Sequence, residues 1–84
     1  MLPHAALATL SMAVPGQQLE VRAILYGAGE SAALLRAGDV ISCRGRTADW
    51  IIVERPGHGE LAVHRHDAEM VRVERNLRLR RGTT

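Results

Sequence analysis

Four histidines, one cysteine and a few serines are the side chains of this 84-residue chain that could ligate a metal or attack a substrate. His64-x-His66 is the tightest pair. On a strand, residues i and i+2 project to the same side, so the two imidazoles would share a face, with His58 and Glu60 nearby in sequence. A metal centre needs three or four preorganised ligands, and this spacing secures two. The competing reading is a pair of solvent-facing histidines beside Arg65. Nucleophilic chemistry finds no support. Ser31 and Ser42 lack the flanking glycines of a nucleophile elbow. Cys43, on the apolar run Asp39 to Arg44, has no neighbour that would lower its pKa and reads as a small core residue. Gly27-x-Gly29 lacks the third glycine of a dinucleotide site and reads as a turn. Neither a cofactor nor an enzymatic activity is expected.

The element that must position these histidines is Trp50 to His64, W-I-I-V-E-R-P-G-H-G-E-L-A-V-H. Two runs of branched apolar residues flank Arg55-Pro56-Gly57-His58-Gly59. Proline pre-sets one backbone angle there and glycine permits positive ones, which predicts a hairpin. Pairing across a five-residue loop sets Glu54 opposite Glu60, Val53 opposite Leu61 and Ile51 opposite Val63. Two like charges then meet at the hairpin mouth, at a cost of roughly 0.2–1 kcal/mol. The same register collects Ile51, Val53, Leu61 and Val63 on one face, each worth about 1.5–3 kcal/mol when fully buried. A one-residue slip would scatter them over both faces. Apolar sorting therefore decides the register. Trp50, Ile52, Ala62 and His64 fall on the other face, which is either a second core layer under the N-terminal segment, the slightly favoured reading, or a docking patch.

Elsewhere the chain reads as short strands and turns. Leu19, Val21, Ala23 and Leu25 alternate with Glu20, Arg22 and Ile24, the pattern of a half-buried strand that Gly27-Ala28-Gly29 ends. Glu30 to Ala37 is the one helical stretch, with Ser31 as a candidate cap, Gly38 as terminator, and Leu34 and Leu35 as the residues that would pack it. Asp39 to Arg44 and Met70 to Glu74 are strands, with Val71 and Val73 facing inward, and Arg65 to Glu69 can form one helical turn. Five short strands and one short α-helix predict a mainly β protein, a small closed or nearly closed barrel.

Length and composition set further bounds. One cysteine allows no intramolecular disulfide. No apolar run approaches the ~20 residues that cross a bilayer, and Met1 to Ala13 lacks the positive start of a secretory signal, so a cytoplasmic protein without membrane insertion is expected. The net charge of +2 conceals an asymmetry. Met1 to Glu74 carries seven arginines and nine acids, whereas Arg75 to Thr84 carries four arginines and no acid. A mildly acidic body with two aromatics is a poor nucleic-acid surface. The expected layout is an extension at 1–8, one domain at 9–74 and a basic, flexible tail at 75–84.

In order, these stretches resemble the FeoA family of bacterial ferrous-iron uptake. Thr9-Leu10-Ser11 with Pro15-Gly16-Gln17 resembles the family's opening T-L-S…P-G-Q. Gly27-Ala28-Gly29-Glu30 with Leu34-Leu35-Arg36-Ala37-Gly38 is similar to its glycine turn and short helix. Glu60 to Arg65 resembles its "lALR" strand, and Asp67 to Val73 its closing "eAe-I-x-V". The usual L-x-P-G turn after the helix is missing, since Asp39 and Val40 follow Gly38 at once. The resemblance implies an SH3-like barrel and a non-enzymatic accessory protein that docks on the cytoplasmic part of a FeoB-type membrane GTPase. The same resemblance implies an alternative, a stand-alone relative of the regulatory SH3-like domain of iron- and manganese-dependent repressors, sensing metal through His64 and His66. A partner surface is expected at Trp50, Ile52 and Ala62, with Leu34 and Leu35, and a small barrel with an open strand or apolar patch is compatible with a homo-oligomer.

Overall fold

The computed structural model describes residues 8–75. The N-terminal extension up to residue 7 and the tail beyond Arg75 lie outside the described residues. Among the described residues six strands form one antiparallel sheet: β1 (Ala8–Thr9), β2 (Gln18–Ile24), β3 (Val40–Arg46), β4 (Trp50–Arg55), β5 (Gly59–His64) and β6 (Val71–Arg75). Their order across the sheet is β1-β6-β2-β3-β4-β5. The sheet curls into a small SH3-like barrel around Leu10, Val21, Ile41, Ile51, Val53, Val63 and Val71, all fully buried. Among the described residues one α-helix, α1 (Arg65–Ala68), joins β5 to β6. It packs on β5 and on two 3-10 turns, Leu10–Met12 and Glu30–Ala32, so non-strand segments cover part of the seam between the edge strands.

The β4–β5 hairpin has the register that apolar sorting demands. Trp50 pairs with His64, Ile51 with Val63, Val53 with Leu61 and Glu54 with Glu60. Gly57 (φ 81°) and Gly59 (φ 84°) take the positive angles that let the loop return to β5. Val71 and Val73 point into the core, as the alternation of β6 requires.

Three expectations are corrected. The sheet has a sixth strand, the two-residue β1, which pairs Ala8 with Val73 and Thr9 with Arg72. The alternation of β2 is interrupted by a bulge. Val21 pairs with Val73 and Ala23 with Arg72, leaving Arg22 as the extra residue. Beyond it the sides exchange: Ile24 packs against the core and Leu25 turns outward. The helical stretch from Glu30 to Ala37 is one 3-10 turn, Glu30–Ala32, followed by turns, and the only α-helix among the described residues is α1. Ser31 is not a cap there, since that turn has no side-chain cap.

Candidate functional site

Two arrangements sit at the C-terminal end of β5. One is a hydrogen-bonded hub around Asp67, on α1. Its carboxylate accepts from Gly29 N (2.9 Å), Ser31 N (3.2 Å) and the Ser31 hydroxyl, and the hydroxyl in turn accepts from His64 N (2.9 Å). Four donors are thereby organised by one carboxylate and one hydroxyl. The hydrogen bond from the Ser31 hydroxyl, reinforced by the two backbone N–H groups and by His64, holds the Asp67 carboxyl below its ordinary range, against the opposing effect of burial. Gly29 is required for close approach: a Cβ there would lie 2.6 Å from Asp67 Oδ1. The hub ties the Glu30–Ala32 turn, α1 and β5 together across the barrel seam. It satisfies its own polar atoms, so its chemistry is structural.

The second arrangement is the outer face of the hairpin. Trp50 is 41% exposed, Ala62 is exposed and Ile52 is half-buried. Ile52 is left uncovered because its two cross-strand neighbours are Gly45 and Ala62, neither of which has a long side chain. Gly45 reaches that position through a second bulge, at Arg44 of β3. Trp50 is fixed from both sides. The Thr47 hydroxyl accepts from Trp50 N (3.1 Å) and Thr47 N donates to Trp50 O (2.9 Å). The indole also meets His64 edge to face, ring centres 5.0 Å apart. Charges surround the patch: Arg65–Asp49 at 3.2 Å, Arg44–Glu54 at 3.6 Å, and Glu60. An apolar centre within a polar rim is the anatomy of an interaction surface. The slightly favoured second core layer is not formed by the described residues. The segment from Ala8 to Met12 packs on β6 and α1 instead.

The expected docking residues do not form one patch. Leu35 is buried in the core and offers no surface, a correction to its expected role. Leu34 is exposed, but its carbonyl accepts from Nη1 of Arg55, whose backbone stands at the hairpin mouth, five residues and about 16 Å along β4 from Trp50. Trp50, Ile52 and Ala62 do lie together.

His64 and His66 are neighbours, stacked with ring centres 5.1 Å apart and planes 18° from parallel. His64 Nδ1 accepts from His66 N at 3.2 Å. A metal ion lies near the plane of each imidazole that binds it, and two stacked rings have no common plane, so these rings as placed do not converge on one ion. His58 sits in the hairpin turn, at the opposite end of β5 from His64. Among the described residues, no group of three or more His, Cys, Asp or Glu is placed to hold a metal ion. Cys43 is buried, and burial pushes its thiol pKa up, so the site that houses it disfavours a thiolate.

Register arithmetic located Trp50, Ile52, Ala62 and His64 on one face, but sequence reasoning missed the Asp67 hub and offered Ser31 as a cap instead of as Asp67's partner. The Asp67-Ala68-Glu69 segment was legible as a helical turn, yet nothing in it announces a partner 36 residues away.

Among the described residues, no helix is long and apolar enough to cross a membrane. No protein-family model matches the sequence, and no curated protein does. A solved crystal structure of an iron uptake regulatory protein, FeoA, is similar in fold, with a TM-score of 0.70 and 24% sequence identity over 84% of this chain and 100% of that one. The six strands, the bulges and the single α1 thus assemble a barrel of the kind seen in FeoA.

Proposed function

We propose that this chain is a non-enzymatic accessory protein of ferrous-iron uptake that acts in the cytoplasm by docking on a FeoB-type membrane GTPase. The observation that supports the reading most is the fold likeness, which spans the whole of the FeoA chain, together with the ordered motifs from Thr9 to Val73. The surface supports it as well. The polar atoms of the Asp67 hub are spent on the fold, while Trp50, Ile52 and Ala62 form an apolar patch on the β4–β5 hairpin. The repressor-domain alternative draws on His64 and His66, and their stacked geometry does not favour a chelate.

In this reading the docking surface is the outer face of β4 and β5, with Trp50 as its anchor, and the contact is made by side chains that the core does not need. The test is a pull-down from membrane extract of native cells, comparing the intact chain with a Trp50→Ala variant shown to be folded. Recovery of the membrane GTPase by the intact chain and its loss with the variant is the expected result. Equal recovery by both would remove Trp50 from the surface. Recovery by neither would count against the transporter role.

A further inference from the structure

Beside that face runs an open strand edge. Among the described residues β5 is the last strand of the sheet and pairs only with β4. His64 N points away from β4, to Ser31, and the β4–β5 register has no bulge, so the N–H and C=O groups of Glu60 and Ala62 point outward too. The edge is bounded at both ends. Gly59, with its positive φ, turns the chain away at one end, and Ser31 occupies the outward side of His64 at the other. Between them lies a three-residue docking rail, Glu60 to Ala62.

The side chains on this rail specify what could join it. On the outer face Glu60 stands opposite Glu54, two carboxylates against the single cation of Arg44 at 3.6 Å. On the inner face Leu61 is only half-buried, while its hairpin companions Ile51, Val53 and Val63 are fully buried. An added strand alternates its side chains between the same two faces. One face must therefore supply positive charge to the carboxylates and the other must supply apolar surface to Leu61.

We propose that the β5 edge is a recognition site for an extended partner segment in which basic and apolar residues alternate, added to the sheet by backbone hydrogen bonds to Glu60 and Ala62. Main-chain pairing supplies the affinity, and the Glu60 and Leu61 faces select the sequence. This goes beyond the docking reading above, because the edge lies beside the Trp50 face and not on it, and it does not require that the partner be an iron transporter.

The test uses the synthetic peptide Arg-Asn-Leu-Arg-Leu-Arg-Arg, which carries the required alternation, titrated into the isotope-labelled full chain and into a chain ending at Arg75. Saturable shifts at the Glu60 and Ala62 amides of the full chain, weakening with salt, are expected. Glu60→Lys, which keeps the strand and reverses the charge, weakens binding by about fivefold. Ala62→Pro removes an outward N–H without breaking a β4–β5 bond, and is expected to abolish binding while leaving the remaining amide spectrum folded. Absence of shifts at Glu60 and Ala62 in both chains overturns the proposal. Binding by the shortened chain alone also overturns it, because the occupant would then be the chain's own C-terminal segment. The peptide assay and the pull-down fail separately: one reads the edge, the other the transporter.

Discussion

Asp67 and Trp50 are conspicuous for different reasons. One is engaged on every side and the other is held out to solvent. Removing the Asp67 carboxylate leaves Gly29 N and Ser31 N without their acceptor, at a cost of about 1–3 kcal/mol, so Asp67→Ala is expected to lower the urea midpoint accordingly. The pH dependence follows from the lowered pKa. The unfolded carboxyl titrates near ~3.9, and the folded one below it. The stability that Asp67 contributes is therefore fully present above the unfolded value and is lost as pH falls through the folded value. Urea denaturation from pH 6 down to pH 2 should show a steeper loss for the native chain than for Asp67→Asn, and identical slopes would contradict the assignment. Gly29→Ala tests the same hub sterically. Its Cβ would push Asp67 aside, and destabilisation comparable to Asp67→Ala is expected, without additivity in the double variant.

At the scale of elements, the β4–β5 hairpin was readable because its two faces differ so sharply in polarity. Branched residues at alternate positions leave one register that buries them all, and that register holds. Two features escaped for physical reasons. The bulges at Arg22 and Arg44 insert one residue each, and an arginine in a bulge looks like any arginine on a solvent face. In the Glu30–Ala37 stretch, helix propensity lost to tertiary pull. Leu35 N bonds to Ala32 O and the Asp39 carboxylate takes Arg36 N, so the i→i−4 ladder of an α-helix does not form, and Leu35 enters the core. The hairpin offers its own test. Glu54 and Glu60 face each other, so Glu60→Lys replaces a like-charge pair by an opposite one and is expected to raise stability by roughly 0.2–1 kcal/mol at low salt. Thermal unfolding at two ionic strengths checks this. Val63→Ala, by contrast, leaves a cavity in the fully buried layer and should lower stability by about 1–3 kcal/mol.

For the molecule as a whole, the division of labour is between a small core with a latch across the seam and a hairpin that carries the exposed apolar face. The resemblance read from scattered motifs pointed to the same barrel that the fold comparison finds, although neither the Trp50–His64–His66 ring contacts nor the Asp67 hub could be read from the sequence. Those contacts depend on where β5 ends and α1 begins, and on which segment crosses the seam beside them. A role in ferrous-iron uptake through the Trp50 face can be measured as ferrous-iron uptake in native cells that lack this chain, complemented with the intact protein or with folded Trp50→Ala. Uptake is expected to fall without the chain, to return with the intact protein and to stay low with the variant. Uptake that is unchanged when the chain is removed would contradict that role.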